Sequence, residues 1–266
     1  HVKVGVIGKY VQHGNHAHND TYISVLESLK HAGFANDVGV DVEMVSSETL
    51  TEENYIEKLK YFSGIVVPQG WGARGMEGKL LAIKYARENN IPYLGLCYGM
   101  QMAVIEIARD LLGIKDANSE EVNPDTKNPV IHLMEEQKKN MKDGLFGGTI
   151  RLGNWPCKLV KGSRAEEIYK DYELRDLDLE KSTKSSVILE RHRHRYEFNN
   201  EYKEQLEKVG LKVSGTSPNG ELVEMVEIPT HKFFVGTQAH PEYRSRPLAP
   251  HPLFVEFIKA AGEGNS

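Results

Sequence analysis

Four short apolar runs, each followed by a stretch of helical spacing, fill the first 114 residues of this 266-residue chain and constrain its fold more than any other feature. "VKVGVIG" (2–8), "VDVEMVS" (40–46), "GIVVP" (64–68) and "PYLGL" (92–96) read as strands, being short and rich in β-branched or aromatic residues. Between them, Tyr22, Val25, Leu26, Leu29 and Ala32 recur at helical intervals, with Asp20 expected as the cap and Gly33 as the stop. A second helix is expected within Ser47 to Lys60, a third over "EGKLLAIKYAREN" and a fourth over "GMQMAVIEIARDLL". The connections are too long for hairpins, so the prediction is an α/β fold whose mostly parallel central sheet is flanked by helices. Ligands of such sheets sit at the carboxyl ends of the strands.

Beyond residue 114 the pattern changes. Segments near 148–160 and 186–190, then "LKVSGTS", "ELVEMVEI" and "KFFVGTQ", read as additional strands, partly antiparallel, before a helix around 252–261. Without an internal repeat or low-complexity linker, residues 1–266 are expected to form one domain. The chain opens on a histidine and enters a strand at once, which suggests a cloned or processed piece of a longer protein.

The formal net charge of -5 lacks the electrostatic footprint of a nucleic-acid binder. No apolar run approaches the roughly 20 residues needed to span a bilayer, and the N-terminus has no basic region followed by an apolar core. A membrane partner is therefore not expected, and a cytoplasmic location is. The two cysteines, Cys97 and Cys157, have neither CxxC nor mixed Cys/His spacing, so no disulfide framework or zinc site is predicted.

Cys97 falls where the fourth strand meets its helix, in "GLCYG". Flanking glycines permit the strained turn that lifts a nucleophile into a cleft, and the helix N-terminus favours a thiolate. A small buried hydrophobe is the alternative, and the commoner fate of a free cysteine. A base must come from elsewhere. "TQAHPEY" supplies His240 with Glu242 two residues on, a spacing that puts both on one face of extended chain, so that Glu242 can orient the imidazole.

Taken together and in order, "PQGWGARGMEGK", "GLCYGMQ", "DANSEE", "GGTIRLG", "ERHRHRYEFN" and "QAHPEY.SRP..PHPLF" resemble the glutaminase domain of CTP synthase, a class I glutamine amidotransferase with a flavodoxin-like fold. The resemblance covers essentially the whole chain. It implies hydrolysis of L-glutamine to glutamate and ammonia through a γ-glutamyl thioester, the ammonia passing to a separate synthetase domain that converts UTP to CTP. By position it implies Cys97 as nucleophile, His240 as base and Glu242 as its partner. Gly70 and the Tyr98 backbone N–H are implied as the oxyanion hole, and Gly70, Gln101, Glu121 and Arg195 as the glutamine site. An amino acid needs both of its charges met, which suits Glu121 and Arg195; outside the resemblance, Arg195 reads as a surface cation or phosphate contact.

The glutaminase step needs no cofactor. ATP and magnesium would belong to the synthetase domain, which is absent here; these residues contain no P-loop. GTP is the allosteric activator that the resemblance implies, with the "RHRHR" run as its contact or, equally, as a solvated charged face.

The motifs depart from the family strings PGGFG, CLGMQ and QFHPEF, notably at Gln69, Trp71, Tyr98 and Ala239. Gln69 raises a question of backbone strain if its position needs a positive φ. Ala239 leaves the space of a phenyl ring, to be filled by Tyr98 or Trp71. The same scaffold remodelled for another amide, ester or electrophile is thus the second reading. A further departure, "KYVQHGNHAHNDTYISV", gathers His13, His16 and His18 in a Gly/Asn-rich segment. Histidine ligates zinc or nickel, but nothing suggests a supporting shell, so no metal is expected; a lid over the cleft is the other reading. Cys157 is expected to be structural.

Overall fold

The first strand, β1 (Val2–Gly8), shows how period-two side-chain placement organises the core. Val2, Val4 and Val6 enter one hydrophobic cluster with Val25, Leu29, Phe254 and Phe257, while Ile7 enters the other with Leu59, Ile83 and Ile105. The sheet is therefore buried on both faces, which is why its strands read as nearly continuous apolar runs. The structure, a computed structural model, describes residues 1–9, 12–13, 16–17, 19–134, 150–170, 172 and 186–263.

The first half runs β1, β2 (Gln12–His13), β3 (His16–Ala17), α1 (Ile23–Ala35), β4 (Val40–Ser46), α2 (Tyr55–Leu59), β5 (Gly64–Val67), α3 (Met76–Glu88), β6 (Tyr93–Leu96) and α4 (Tyr98–Asp110). The second continues through β7 (Asn118–Ser119), β8 (Pro129–Leu133), β9 (Arg151–Leu159), α5 (Arg164–Tyr169), β10 (Val187–His194) and β11 (Tyr196–Phe198). It ends with α6 (Lys203–Lys208), β12 (Lys212–Thr216), β13 (Val223–Glu227), β14 (Phe234–Thr237) and α7 (Pro252–Gly262).

The large sheet has the order β10-β9-β12-β13-β14-β6-β5-β1-β4. From β4 to β14 every neighbour is parallel, and from β14 outward every neighbour is antiparallel. The parallel half and its antiparallel extension are thus one continuous sheet, with α1, α5 and α7 on one face and α2, α3, α4 and α6 on the other. A small second sheet, β11-β8-β7, was not foreseen in the sequence.

Two boundary expectations are corrected. Asp20 lies in a 3-10 turn (Asn19–Tyr22), and Tyr22 precedes α1 without a side-chain cap. Gly33 lies inside α1, where a Cβ would sit 2.9 Å from the Val38 carbonyl oxygen, so this glycine serves close packing and not termination. Of the histidine-rich segment only backbone pairing is described, Gln12–His13 against His16–Ala17. His18 lies outside the described residues, as do residues 147–149 of "GGTIRLG".

Candidate active site

Three adjacent parallel strands, β5, β6 and β14, deliver their carboxyl ends to one place. β5 leads into Pro68–Gly70, β6 into Cys97 and β14 into Gln238–His240. Cys97 immediately precedes α4 and holds φ 51° and ψ -100°, a conformation a side-chain-bearing residue adopts only under constraint. The constraint is visible: the Cys97 N–H donates to the Thr237 carbonyl of the neighbouring strand at 2.7 Å. Gly99 completes the turn, since a Cβ there would fall 2.0 Å from the Val67 carbonyl oxygen. The expected elbow is therefore present.

His240 is buried, and its Nδ1 meets Glu242 Oε1 at 2.7 Å. Its N–H donates to the Arg191 carbonyl at 2.7 Å, and its ring lies parallel to that of Tyr243 at 5.4 Å. Nε2 has no hydrogen-bond partner among the described residues. Burial pushes the His240 pKa down, but the charges of Glu242 and Cys97 outweigh it and hold the imidazole well above its ordinary range. Such a raised pKa contributes stability that is present below the unfolded value of about 6.5 and is lost as pH rises through the folded value. Glu242→Gln removes the main supporting charge and leaves burial dominant. Its His240 titration midpoint, read by NMR, is expected to fall well below that of the unsubstituted chain, and the associated window of pH-dependent stability to disappear.

The altered loop has a consistent internal logic. Gly72 is held from both sides: its N–H donates to Glu121 Oε1 at 2.8 Å, and its carbonyl accepts from the Tyr98 hydroxyl at 2.7 Å. Glu121 thus sits at the loop with one oxygen engaged; burial raises its pKa against the Gly72 N–H and the Lys9 charge. Tyr98 also packs on Gly70, where a Cβ would lie 3.5 Å from its ring. The hydroxyl of this departure from the family string therefore ties α4 to the loop. Tyr98→Phe is expected to lower stability by about 1 kcal/mol by leaving the Gly72 carbonyl without that donor, measurable as a shift in urea midpoint at unchanged slope.

Gln69 is absent from the positive-φ residues, so the anticipated strain does not arise; its Oε1 is instead a buried acceptor with no partner among the described residues. Trp71 is 39% exposed and fills no core space, which corrects the expectation that it replaces a missing ring beside Ala239, itself buried.

Gln101 projects from α4 with its amide nitrogen bonded to the Tyr196 carbonyl at 3.0 Å and to Gln238 Oε1 at 3.2 Å. Gln238, which the sequence reading passed over, turns its own amide nitrogen to Cys97 Sγ at 3.5 Å. Its place two residues before His240 was the available signal. Arg195 is half-buried between β10 and β11. Burial, then Glu121 and Glu120, raise the pKa of the Tyr196 hydroxyl, and Arg195 opposes them.

Lys79 is the other residue the sequence reading missed. Fully buried, it directs Nζ to the Pro68 carbonyl at 3.4 Å and to the face of Tyr98 at 5.4 Å, and burial followed by the charge of Lys9 lowers its pKa to about 7. Cys157 is a buried free thiol on β9, its pKa raised by burial and then by Glu224 and Glu190, as befits an inert position.

A half-parallel sheet with the order β4-β1-β5-β6-β14 and a strained strand-to-helix cysteine defines a class I glutamine amidotransferase, and the chain belongs to that family: the family model "Glutamine amidotransferase class-I" matches residues 17–260. Within the family it is similar over nearly its whole length to CTP synthases, 51% identical over 260 residues to that of Halalkalibacterium halodurans and 50% over 262 to that of Bacillus subtilis. A solved structure described as the Trypanosoma brucei CTPS glutaminase domain with bound acivicin superposes with a TM-score of 0.85 at 38% identity, covering 99% of this chain and 94% of that one. The chain is accordingly of the CTP synthase glutamine amidotransferase domain type. It spans 45% of the length of the two bacterial relatives. A glutamine amidotransferase from Thermotoga maritima, 12% identical with a TM-score of 0.53 over 99% of this chain and 97% of that one, shares the fold. No helix among the described residues is long and apolar enough to cross a membrane.

Proposed function

We propose that the chain hydrolyses L-glutamine to glutamate and ammonia, with Cys97 as nucleophile, His240 as acid and base, and Glu242 as its orienting partner. The observation that carries this reading is the convergence of a cysteine held at φ 51° and a carboxylate-paired buried histidine on the ends of neighbouring strands. The Cys97 thiolate attacks the γ-carboxamide carbon; the C–N bond breaks as protonated His240 gives its proton to the leaving ammonia. Water, deprotonated by His240, then attacks the thioester and releases glutamate and the thiolate. Gly70 and the Tyr98 N–H are assigned to the developing oxyanion. Gln101, Glu121 and Arg195 are assigned to the amino acid, Arg195 to its carboxylate and the remaining capacity of Glu121 to its ammonium.

These steps use the chain's own side chains, its backbone N–H groups and water. In the longer relatives' context, the ammonia is proposed to reach a synthetase domain that aminates UTP to CTP; ATP and magnesium would serve that domain, and GTP would act as an activator. The cytoplasm, where thiols stay reduced, is the proposed compartment.

A second reading, a pocket remade for another amide, ester or electrophile, is favoured by one observation: the unpartnered Gln69 Oε1 in the loop next to Gly70. Ammonia release from glutamine, followed together with the intact mass after treatment with an electrophilic glutamine analogue, separates the two. Release and a single adduct support the glutaminase. An unreacted chain counts against it.

A further inference from the structure

The mechanism leaves unused a buried polar chain that begins at "RHRHR". On β10 the side chains alternate: Arg191 and Arg193 face solvent, while Glu190, His192 and His194 face inward. The run is thus not one charged face. His194 Nδ1 lies 3.0 Å from the Tyr196 carbonyl oxygen, and its Nε2 lies 3.0 Å from His192 Nδ1. His192 Nε2 in turn stands 3.7 Å from Glu224 Oε2, and Glu224 Oε1 pairs with Arg151 Nη2 at 2.6 Å.

The direction of every proton follows from the first acceptor. A carbonyl oxygen only accepts, so His194 Nδ1 carries the hydrogen. Burial, then the charge of Arg151, lowers the His194 pKa to about 3, so this ring is neutral and its Nε2 is a bare acceptor. His192 Nδ1 must then be the donor. Burial first and then His194 and Arg151 keep His192 neutral as well, which leaves its Nε2 bare and facing a carboxylate oxygen. Two acceptors do not bond, which accounts for the 3.7 Å gap and for the unpartnered state of that nitrogen.

The Tyr196 carbonyl that His194 engages is the one that receives the Gln101 amide. From there the chain continues through Gln238 to Cys97 Sγ. We infer that His192 and His194, fixed as Nδ1–H tautomers, are positioning residues for the glutamine pocket: they lock the Tyr196 carbonyl, and through it Gln101, Gln238 and the backbone that carries Arg195. The word glutamine rests on the proposed function; the tautomers rest on the hydrogen-bond geometry together with the neutrality that burial imposes on both rings. Neither histidine touches the reacting atoms.

Ring-nitrogen NMR of the chain labelled with 15N-histidine reads the tautomers directly. Both rings are expected to show a protonated Nδ1 and a bare Nε2, unchanged between pH about 5 and 8, with scalar coupling across the pair. His194→Leu then tests positioning. Its labelling by an electrophilic glutamine analogue is expected to need at least about tenfold more reagent for half-maximal rate, while iodoacetamide modifies Cys97 within about twofold of the parent rate. His194→Gln, which keeps a donor and an acceptor, is expected to recover most of the loss. An Nε2–H tautomer on either ring overturns the inference, as does an equal loss, or no loss, with both reagents. A parent chain that iodoacetamide modifies but the analogue does not would sink the glutaminase reading instead, and the ring nitrogens, measured without any ligand, would decide the inference by themselves.

Discussion

Cys97→Ala is expected to lower ammonia release from glutamine by at least about 10⁴-fold and to abolish the adduct with an electrophilic glutamine analogue. The expectation follows from where this side chain stands. It is the one thiol at a strand end among the two in the sequence, it is held at φ 51°, and Gln238 and His240 converge on it. The other thiol, Cys157, is buried on β9 with its pKa raised, so it offers no substitute nucleophile. The substitution removes only the sulfur and leaves the backbone bond from residue 97 N–H to the Thr237 carbonyl in place, so the fold should persist. His240→Ala is expected to cost a similar factor, and the double substitution little more, because residues that act as a unit lose their effect together. Residual release above about one hundredth of the parent rate in Cys97→Ala would contradict the assignment of Cys97 as nucleophile.

The parallel half of the fold was legible because burial on both sheet faces leaves continuous apolar runs, and because four helices of regular spacing separate them. The elbow was legible too, since glycine on either side of Cys97 answers a local steric demand. What escaped was the part written in tertiary contacts. β7 contributes two residues and β11 three, too few for any periodicity, and they acquire meaning only by pairing with β8. Lys79 falls within the predicted third helix, where a lysine ordinarily faces solvent, yet it is wholly buried with its ammonium at the Pro68 carbonyl. Asp20 and Gly33 looked like helix punctuation because local capping preferences were weighed without the neighbours that override them. The "RHRHR" run carried a readable signal that its charge concealed. Alternation at period two, applied to polar residues as it is to apolar ones, separates the inward histidines from the outward arginines.

Of the departures from the family strings, Gln69, Trp71 and Tyr98 gather at one loop, while Ala239 lies beside His240. Tyr98 bonds the Gly72 carbonyl and packs on Gly70, Glu121 bonds the Gly72 N–H, and Lys79 bonds the Pro68 carbonyl. Gln69 lies within that same stretch. The loop thus carries side-chain ties at Pro68 and Gly72, from Lys79 on α3, Tyr98 on α4 and Glu121 in the turn after β7.

The lysine among those ties has a measurable cost, and Lys79→Met should reveal it. A folded-state pKa of about 7 against an unfolded value of about 10.4 places roughly three pK units between the two states. Below pH about 7 both states are protonated and the burial penalty is fully present; between about 7 and 10 only the unfolded chain holds the proton, so stability rises with pH across that window. The donation to Pro68 and the contact with the Tyr98 face offset part of the penalty. Lys79→Met is therefore expected to gain about 2–4 kcal/mol at pH 6 and little at pH 10, flattening the rise. Urea midpoints of both chains at the two pH values measure it; a parent chain equally stable at both would show that the ammonium is fully compensated in place. The gain should come with slower labelling of Cys97 by the glutamine analogue, because methionine cannot donate to the carbonyl that precedes Gln69 and Gly70. A charge kept at such cost beside the loop is stability given up for geometry.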